Sequence, residues 1–391
     1  LSEARPAARA ASAAQARLAY IDRLRAVLTV LVVMVHAGVI YGSAGSFFGI
    51  ADPGADGLAP ILLTLFGAIC QSFFMGLFFF ISGAFLPGSL DRKGQARYWK
   101  DRLLRLGVPL VVFSVFIAKV PMYISQVLND GLSLSFWDYT WRHLFSDLDA
   151  GPTWFLFALL VFSAGYSVWR LATRGAGLDR RVPPLPSQRA LLGAGLALGV
   201  VMFLACQAAP IGSEYKAFGF ITLQFEYFPQ YILMFIAGIL ASRGDWLARI
   251  PAGWLPAWRR LSLALIAALP VFMMLGGAAS GQFDAFTTGL TWQCAAISVW
   301  MSLGCVVFSL TLTLWLRERH NQPGPFQSAV SAAAYGAYIV HPAILVPLAA
   351  ALMPIGLDAL VKFGLASAAT VAGSFAIAAA LRKLPGARSI L

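Results

Sequence analysis

Ten long apolar runs constrain this chain more than any other feature: Ala26–Tyr41, Leu58–Leu86, Leu106–Ser125, Trp154–Val168, Leu191–Ala209, Ile221–Ala241, Leu261–Leu275, Leu290–Leu316, Val330–Leu352 and Leu360–Leu381. An α-helix needs about 17–25 apolar residues to cross a hydrocarbon core, allowing for tilt. The strands of a membrane barrel are about half as long and alternate polar with apolar residues. The runs therefore predict an all-α, polytopic integral membrane protein with about ten transmembrane helices. Composition excludes a soluble globule, since 59% of residues are hydrophobic and 12% charged, against about half and a quarter in soluble domains.

The net charge of +12 would suit a nucleic-acid binder if it formed one patch beside exposed aromatics. Instead, 25 of the 29 Lys and Arg lie on one side of the predicted bilayer: in the amino-terminal arm, in Pro87–Arg105, Arg170–Arg189, Arg243–Arg260 and Arg317–Gln327, and after Leu381. The remaining four are Lys119, Arg142, Lys216 and Lys362, while most acids, including Asp52, Asp56, Asp130, Asp138, Asp147 and Asp149, fall on the other side. That asymmetry predicts both termini in the cytoplasm and no nucleic-acid partner. Residues 1–18 are expected to form a flexible cytoplasmic arm with no signal-peptide core, residues 19–381 the membrane domain and residues 382–391 a cytoplasmic tail.

Cys70, Cys206, Cys294 and Cys305 sit in apolar runs without metal-ligand spacing and read as small core hydrophobes; no metal is expected. The glycines Gly193, Gly195 and Gly199 have the wrong spacing for a dinucleotide fingerprint and suit close helix contacts instead.

Inside a membrane the informative residues are ionisable ones. Arg25 and His36 are 11 residues apart, which places them within roughly 20° of one helix face and ~16 Å apart along it. Arg25 then sits at the cytoplasmic interface and His36 near mid-membrane, where an imidazole is a natural proton acceptor for an attacking hydroxyl. A histidine that only hydrogen-bonds a neighbouring helix, and an arginine that only snorkels, are the bland alternatives. The loop after the second run carries Lys100, Arg102 and Arg105; the two arginines share a helix face and form a candidate phosphate clamp, or an ordinary cytoplasmic anchor.

These residues carry a resemblance. Arg25-x10-His36 after Tyr20-Ile21-Asp22, then Phe78-Phe79-x-Ile81-Ser82-Gly83, then Arg102-x-x-Arg105-Leu-Gly-Val-Pro109 resemble the acyltransferase-3 family of membrane acyltransferases. They are similar in particular to its branch of periplasmic-glucan succinyltransferases. Further matches are Trp154-Phe155-Leu156, Phe228-Pro-Gln-Tyr231 with Gly238, and Tyr335-Gly-Ala-Tyr338-Ile-Val-His341-Pro342, so the resemblance covers about Ala19 to Leu381. It implies a multi-pass protein of a bacterial inner membrane with ten helices, a cytoplasmic acyl-CoA donor (acetyl-CoA or succinyl-CoA) and an acceptor hydroxyl on a glycan reached from the periplasmic side. Two departures fall on the outer half, where the acceptor would be met: Pro152-Thr153 stand where the family often has His-Leu, and Gln293 follows Trp292 where an acid is common.

The expected mechanism has His36 as general base, with Arg25 supporting catalysis. Arg25, Lys100, Arg102 and Arg105 would hold the donor phosphates, and Ser82 or Tyr338 would serve as an oxyanion donor. Trp154, Glu226, Gln293, Tyr338 and His341 are candidates to meet the acceptor; His341 could instead orient His36, Trp154 could belong to the interfacial aromatic belt, and local hydrogen bonding is the alternative for Glu226. Direct transfer and an acyl-histidine relay both fit. Two other classes stand beside the enzyme: a secondary transporter or glycan-lipid flippase with His36 as proton relay, and a non-catalytic partner whose basic loops dock anionic lipid or protein. A homodimer is an arrangement the sequence permits.

Overall fold

The computed structural model describes residues 4–173, 183–322 and 324–390, with side chains described from Ala19 onward apart from Ala279. Residues 174–182 of the Arg170–Arg189 segment and the first three residues of the amino-terminal arm lie outside this description. The helices follow in chain order. They begin with α1 (Ala4–Ile40), α2 (Ala59–Arg102), α3 (Val108–Val112), α4 (Lys119–Asp130), α5 (Phe136–Arg142), α6 (Trp154–Ala172), α7 (Gln188–Ala208) and α8 (Phe228–Gly244). They continue with α9 (Trp246–Arg249), α10 (Leu255–Leu275), α11 (Asp284–Thr287), α12 (Trp292–Arg319), α13 (Pro325–Val340), α14 (Pro342–Leu352), α15 (Ala359–Leu381) and α16 (Ala387–Ile390). The backbone of the expected arm is thus already helical from Ala4.

Among the described residues, eight segments are long and apolar enough to cross a membrane, and a bent pair makes a ninth. One of the eight, Ala59–Asp130, has 72 residues, which at 1.5 Å per residue is over three times a ~30 Å hydrocarbon core. Gly94 breaks it, with non-helical angles of φ 70° and ψ 169°, so it holds the second and third apolar runs as separate passes. The ten runs therefore each find a helical pass, and the chain is an all-α polytopic membrane protein.

Two runs differ from their sequence reading. Ile221–Leu223, counted as the start of the sixth, is strand β2 of a short antiparallel hairpin with β1 (Tyr215–Ala217). A three-residue apolar stretch does not declare helix or strand by itself; here the turn at Phe218 and Gly219, both with positive φ, decides it. The ninth run is not one straight helix, because α13 and α14 meet at 64° around His341.

Packing depends on close helix contacts where lipid supplies no hydrophobic drive. A Cβ at Gly83 of α2 would strike the Phe235 carbonyl of α8, and one at Gly238 of α8 would strike the Phe80 carbonyl of α2. The two glycines of the sequence motifs are therefore reciprocal and let these helices touch backbone to backbone. In the same way Gly199 of α7 fits against Val299 of α12. Helix α1 lies inside the bundle, packed on α2, α12, α13 and α15, which is why Leu24, Leu28, Val32, Val33 and Ala37 are buried.

Candidate functional site

Helices α1 and α13 bring the two histidines of the apolar runs together. Nδ1 of His36 is 2.9 Å from Nε2 of His341, and the rings lie 3° from parallel with centroids 5.1 Å apart. His341 is fully buried, whereas His36 keeps part of its surface accessible. His36 is one turn before the end of α1 at Ile40, toward the end of the bundle away from Arg25.

The local sequence explains how His341 is held. In an α-helix the N–H of residue 342 would bond the carbonyl of residue 338, but Pro342 has no N–H. The Tyr338 carbonyl loses its helical donor, the helix bends, and Nδ1 of His341 takes the place at 2.7 Å. A carbonyl only accepts, so His341 carries its proton on Nδ1 and its Nε2 is the acceptor. His36 must then donate from Nδ1, which leaves its Nε2 as the lone pair of a neutral base. Keeping both rings neutral is also what burial demands.

A loop from the outer end of α1 caps the pair. The ring of Phe47 stacks on His36, 14° from parallel at 4.2 Å between centroids, and Phe48 packs edge-on against Phe47. Asp52 anchors this loop: its N–H donates to the Ile40 carbonyl at 2.7 Å, and one carboxylate oxygen accepts from the Gly54 N–H. The other oxygen pairs with Lys362 of α15 at 2.9 Å, with side chains 2% and 5% exposed. The Lys362 ammonium also donates to the Met353 carbonyl at 3.0 Å. Sequence reasoning missed Phe47, Asp52 and this pairing; the available signal was a lysine, Lys362, inside an apolar run.

The chain leading into α6 passes beside this cap, with Gly151 against the Phe48 ring. Tyr338 donates its hydroxyl to the Pro152 carbonyl, which commits it to a structural bond and removes it as a free oxyanion donor. Nearby, Asp149 accepts from the Gly151 N–H at 2.6 Å, and burial pushes its carboxyl above the usual range despite that bond. Lys119 is buried and donates to the carbonyls of His143 and Asp147, fastening the outer loop to α4. Trp154, the first residue of α6, stacks on the buried Tyr231 at 5.7 Å. Glu226 and Gln293 do not touch the histidines. Glu226 is buried, with one oxygen accepting from the Gly212 N–H at 2.8 Å and the other without a partner among the described residues. Gln293 donates to the Gly276 carbonyl at 3.4 Å.

At the opposite end lie the basic residues. The Arg25 guanidinium sits 4.9 Å over the Phe85 ring, pairs with Asp22 at 3.3 Å and feels the charge of Arg102. Arg102 donates to the Tyr98 hydroxyl at 2.8 Å. Arg105, on the π-turn Leu103–Gly107, donates to the Ser389 carbonyl at 3.2 Å, and its own carbonyl accepts from the Tyr335 hydroxyl. Pro109 repeats the device of Pro342, lacking the N–H that an α-helix would return to Arg105. Tyr335 is only about 9 Å along α13 from His341, so one helix links the basic end to the histidine pair. Lys100 is exposed, and Ser82, beside Gly83, makes no hydrogen bond to either histidine among the described residues.

A family model described as an acyltransferase domain matches residues 18–379. Two relatives, the proteins named Glucans biosynthesis protein C of Escherichia coli strain SMS-3-5 / SECEC and of Escherichia coli O1:K1 / APEC, are each 30% identical over 159 residues. Those alignments cover 38% of this chain and 38% of the length of each curated relative. No solved structure matches significantly. Since the family match begins just before the first apolar span and ends inside the last, the chain belongs to the acyltransferase-3 family.

Proposed function

We propose that this chain is an integral-membrane O-acyltransferase of a bacterial inner membrane. It moves a succinyl or acetyl group from cytoplasmic acyl-CoA to a hydroxyl of a periplasmic or cell-envelope glycan. The observation that carries this reading is the relay from His36 through His341 to the Tyr338 carbonyl, which leaves Nε2 of His36 as a fixed base. Its place near the outer end of α1 suits an acceptor that arrives from outside. Arg25 on the same helix face, with Lys100, Arg102 and Arg105, suits a donor that stays inside.

In this mechanism His36 takes the proton of the acceptor hydroxyl as its oxygen attacks the thioester carbonyl. The imidazolium donates Nδ1–H to His341, which spreads the new charge over a pre-built hydrogen bond, and Phe47 offers its ring face to the cation. When the C–S bond breaks, the proton on Nε2 passes to the departing thiolate, so the base is restored and no net proton is released. The guanidiniums at the inner end hold the phosphates by charge-assisted bonds. The ~16 Å of helix between Arg25 and His36 is spanned by an extended pantetheine arm.

The test is thioester consumption by the purified protein offered acetyl-CoA or succinyl-CoA with an envelope glycan extract. Acceptor-dependent release of CoA is expected, falling by about 10²–10⁴-fold in His36→Ala. Release unchanged in that variant would overturn the base assignment.

A further inference from the structure

A cavity of about 410 Å³ opens among the inner ends of α1, α2, α8 and α12. That volume is within the usual range of small-molecule sites, roughly 300–1,000 Å³. Its walls include the aromatic rings of Tyr20 and Phe85 and the polar side chains of Ser242, Asp245, Arg317 and Asn321. It is a built chamber, because Arg317 donates to the Leu247 and Ile250 carbonyls at 2.9 and 2.8 Å and fixes the short helix α9 and its C-terminal end as its floor. Asn321 accepts from the Tyr20 N–H at 3.3 Å and closes the opposite wall.

The cavity and the basic end share one residue. Phe85 lines the cavity, and its ring also lies under the Arg25 guanidinium. A ligand seated in the chamber therefore ends where a phosphate-binding cation begins. The chamber itself is poorly suited to a phosphate. Its own guanidinium, Arg317, is spent on two carbonyls and on Glu318 at 3.1 Å, and Asp245 adds an acid to the wall. Flat rings beside an amide, a hydroxyl and a carboxylate suit a neutral, planar, hydrogen-bonding group.

We propose that this cavity seats the purine nucleoside end of the thioester donor, with Phe85 as the partition between base and phosphates. The proposal rests on the acyltransferase reading and adds a second anchor to it: nucleobase in the chamber, phosphates on Arg25 and Arg102, and pantetheine along α1 toward His36. It makes the enzyme a reader of the nucleotide as well as of the acyl group.

Equilibrium binding of coenzyme A to the purified full chain in detergent tests this without turnover. Ala248→Trp and Ser242→Phe place bulk in the cavity from exposed positions, so a melting temperature close to wild type is expected. Each should weaken coenzyme A by about tenfold and leave pantetheine binding unchanged, while adenosine 3′,5′-bisphosphate competes with coenzyme A on the wild-type protein. Folded variants that bind coenzyme A as tightly as wild type, or a bisphosphate that does not compete, would overturn the cavity assignment alone. A wild-type protein that binds no coenzyme A at all would overturn it together with the donor reading.

Discussion

The two ends of the bundle treat charge in opposite ways. In the cap around the histidine pair the charged and titratable groups are buried and committed: His341 to a backbone carbonyl, Asp52 to Lys362, Lys119 to two carbonyls. At the inner end Arg25 and Asp22 pair with side chains 40% and 55% exposed, and Lys100 and Arg105 reach solvent. Exposed pairs of that kind contribute about 0–1 kcal/mol and exchange partners easily. Rigidity is concentrated where one imidazole must be aimed, and adaptability where a large anion must enter and leave.

The contrast is broken most severely at the Asp52–Lys362 pair. Lys362→Met alone leaves a buried carboxylate without its counter-charge and should destabilise the protein by about 3–5 kcal/mol. The double variant Asp52→Asn with Lys362→Met should recover most of that, as thermal unfolding in detergent would record; a single variant that melts like wild type would mean the outer cap is held by something else. His341→Ala comes next. It removes the acceptor for Nδ1–H of His36 and should lower kcat by about 10²-fold with the donor KM unchanged. Added imidazole should restore part of the rate, which a purely structural defect would not allow.

Arg25→Gln probes the other end. If the inner cations only hold the donor, its KM should rise about tenfold with kcat unaltered, a loss of ~1.4 kcal/mol; a fall in kcat alone would place Arg25 in the chemistry. The smallest effect belongs to Asp149. Its carboxyl binds a proton more tightly in the folded state because it is buried, so its contribution to stability is present in acid and lost as pH rises through the folded-state pKa. Asp149→Asn should therefore raise the melting temperature relative to wild type at neutral pH and not in acid.

Most of the architecture is legible in the sequence because crossing a bilayer imposes length and apolarity on every pass. The Arg25–His36 face is legible because both residues lie on one helix, where 3.6 residues per turn fix their relation. What stays hidden is long-range. Asp52 and Lys362 are 310 positions apart, and neither carries a local mark of the other. Phe47 resembles any loop aromatic until the chain folds back over α1. Ile221–Leu223 is too short for its apolar character to choose between strand and helix. The bend at His341 was more accessible, since Pro342 inside an apolar run is a visible interruption, but which side chain would use the released carbonyl depends on packing.

That released carbonyl gives the site an unusual genetic weak point. In many acid–base relays the last member is a carboxylate, which mutation can neutralise and pH can protonate. Here it is a peptide oxygen, which does neither, so among the described residues no ionisable third side chain ends the relay. The only handle on it is Pro342. Pro342→Ala would supply a missing N–H and make α13 and α14 a better helix. It would thereby compete with His341 for the one acceptor that holds it, so a substitution that improves the secondary structure would impair the catalyst.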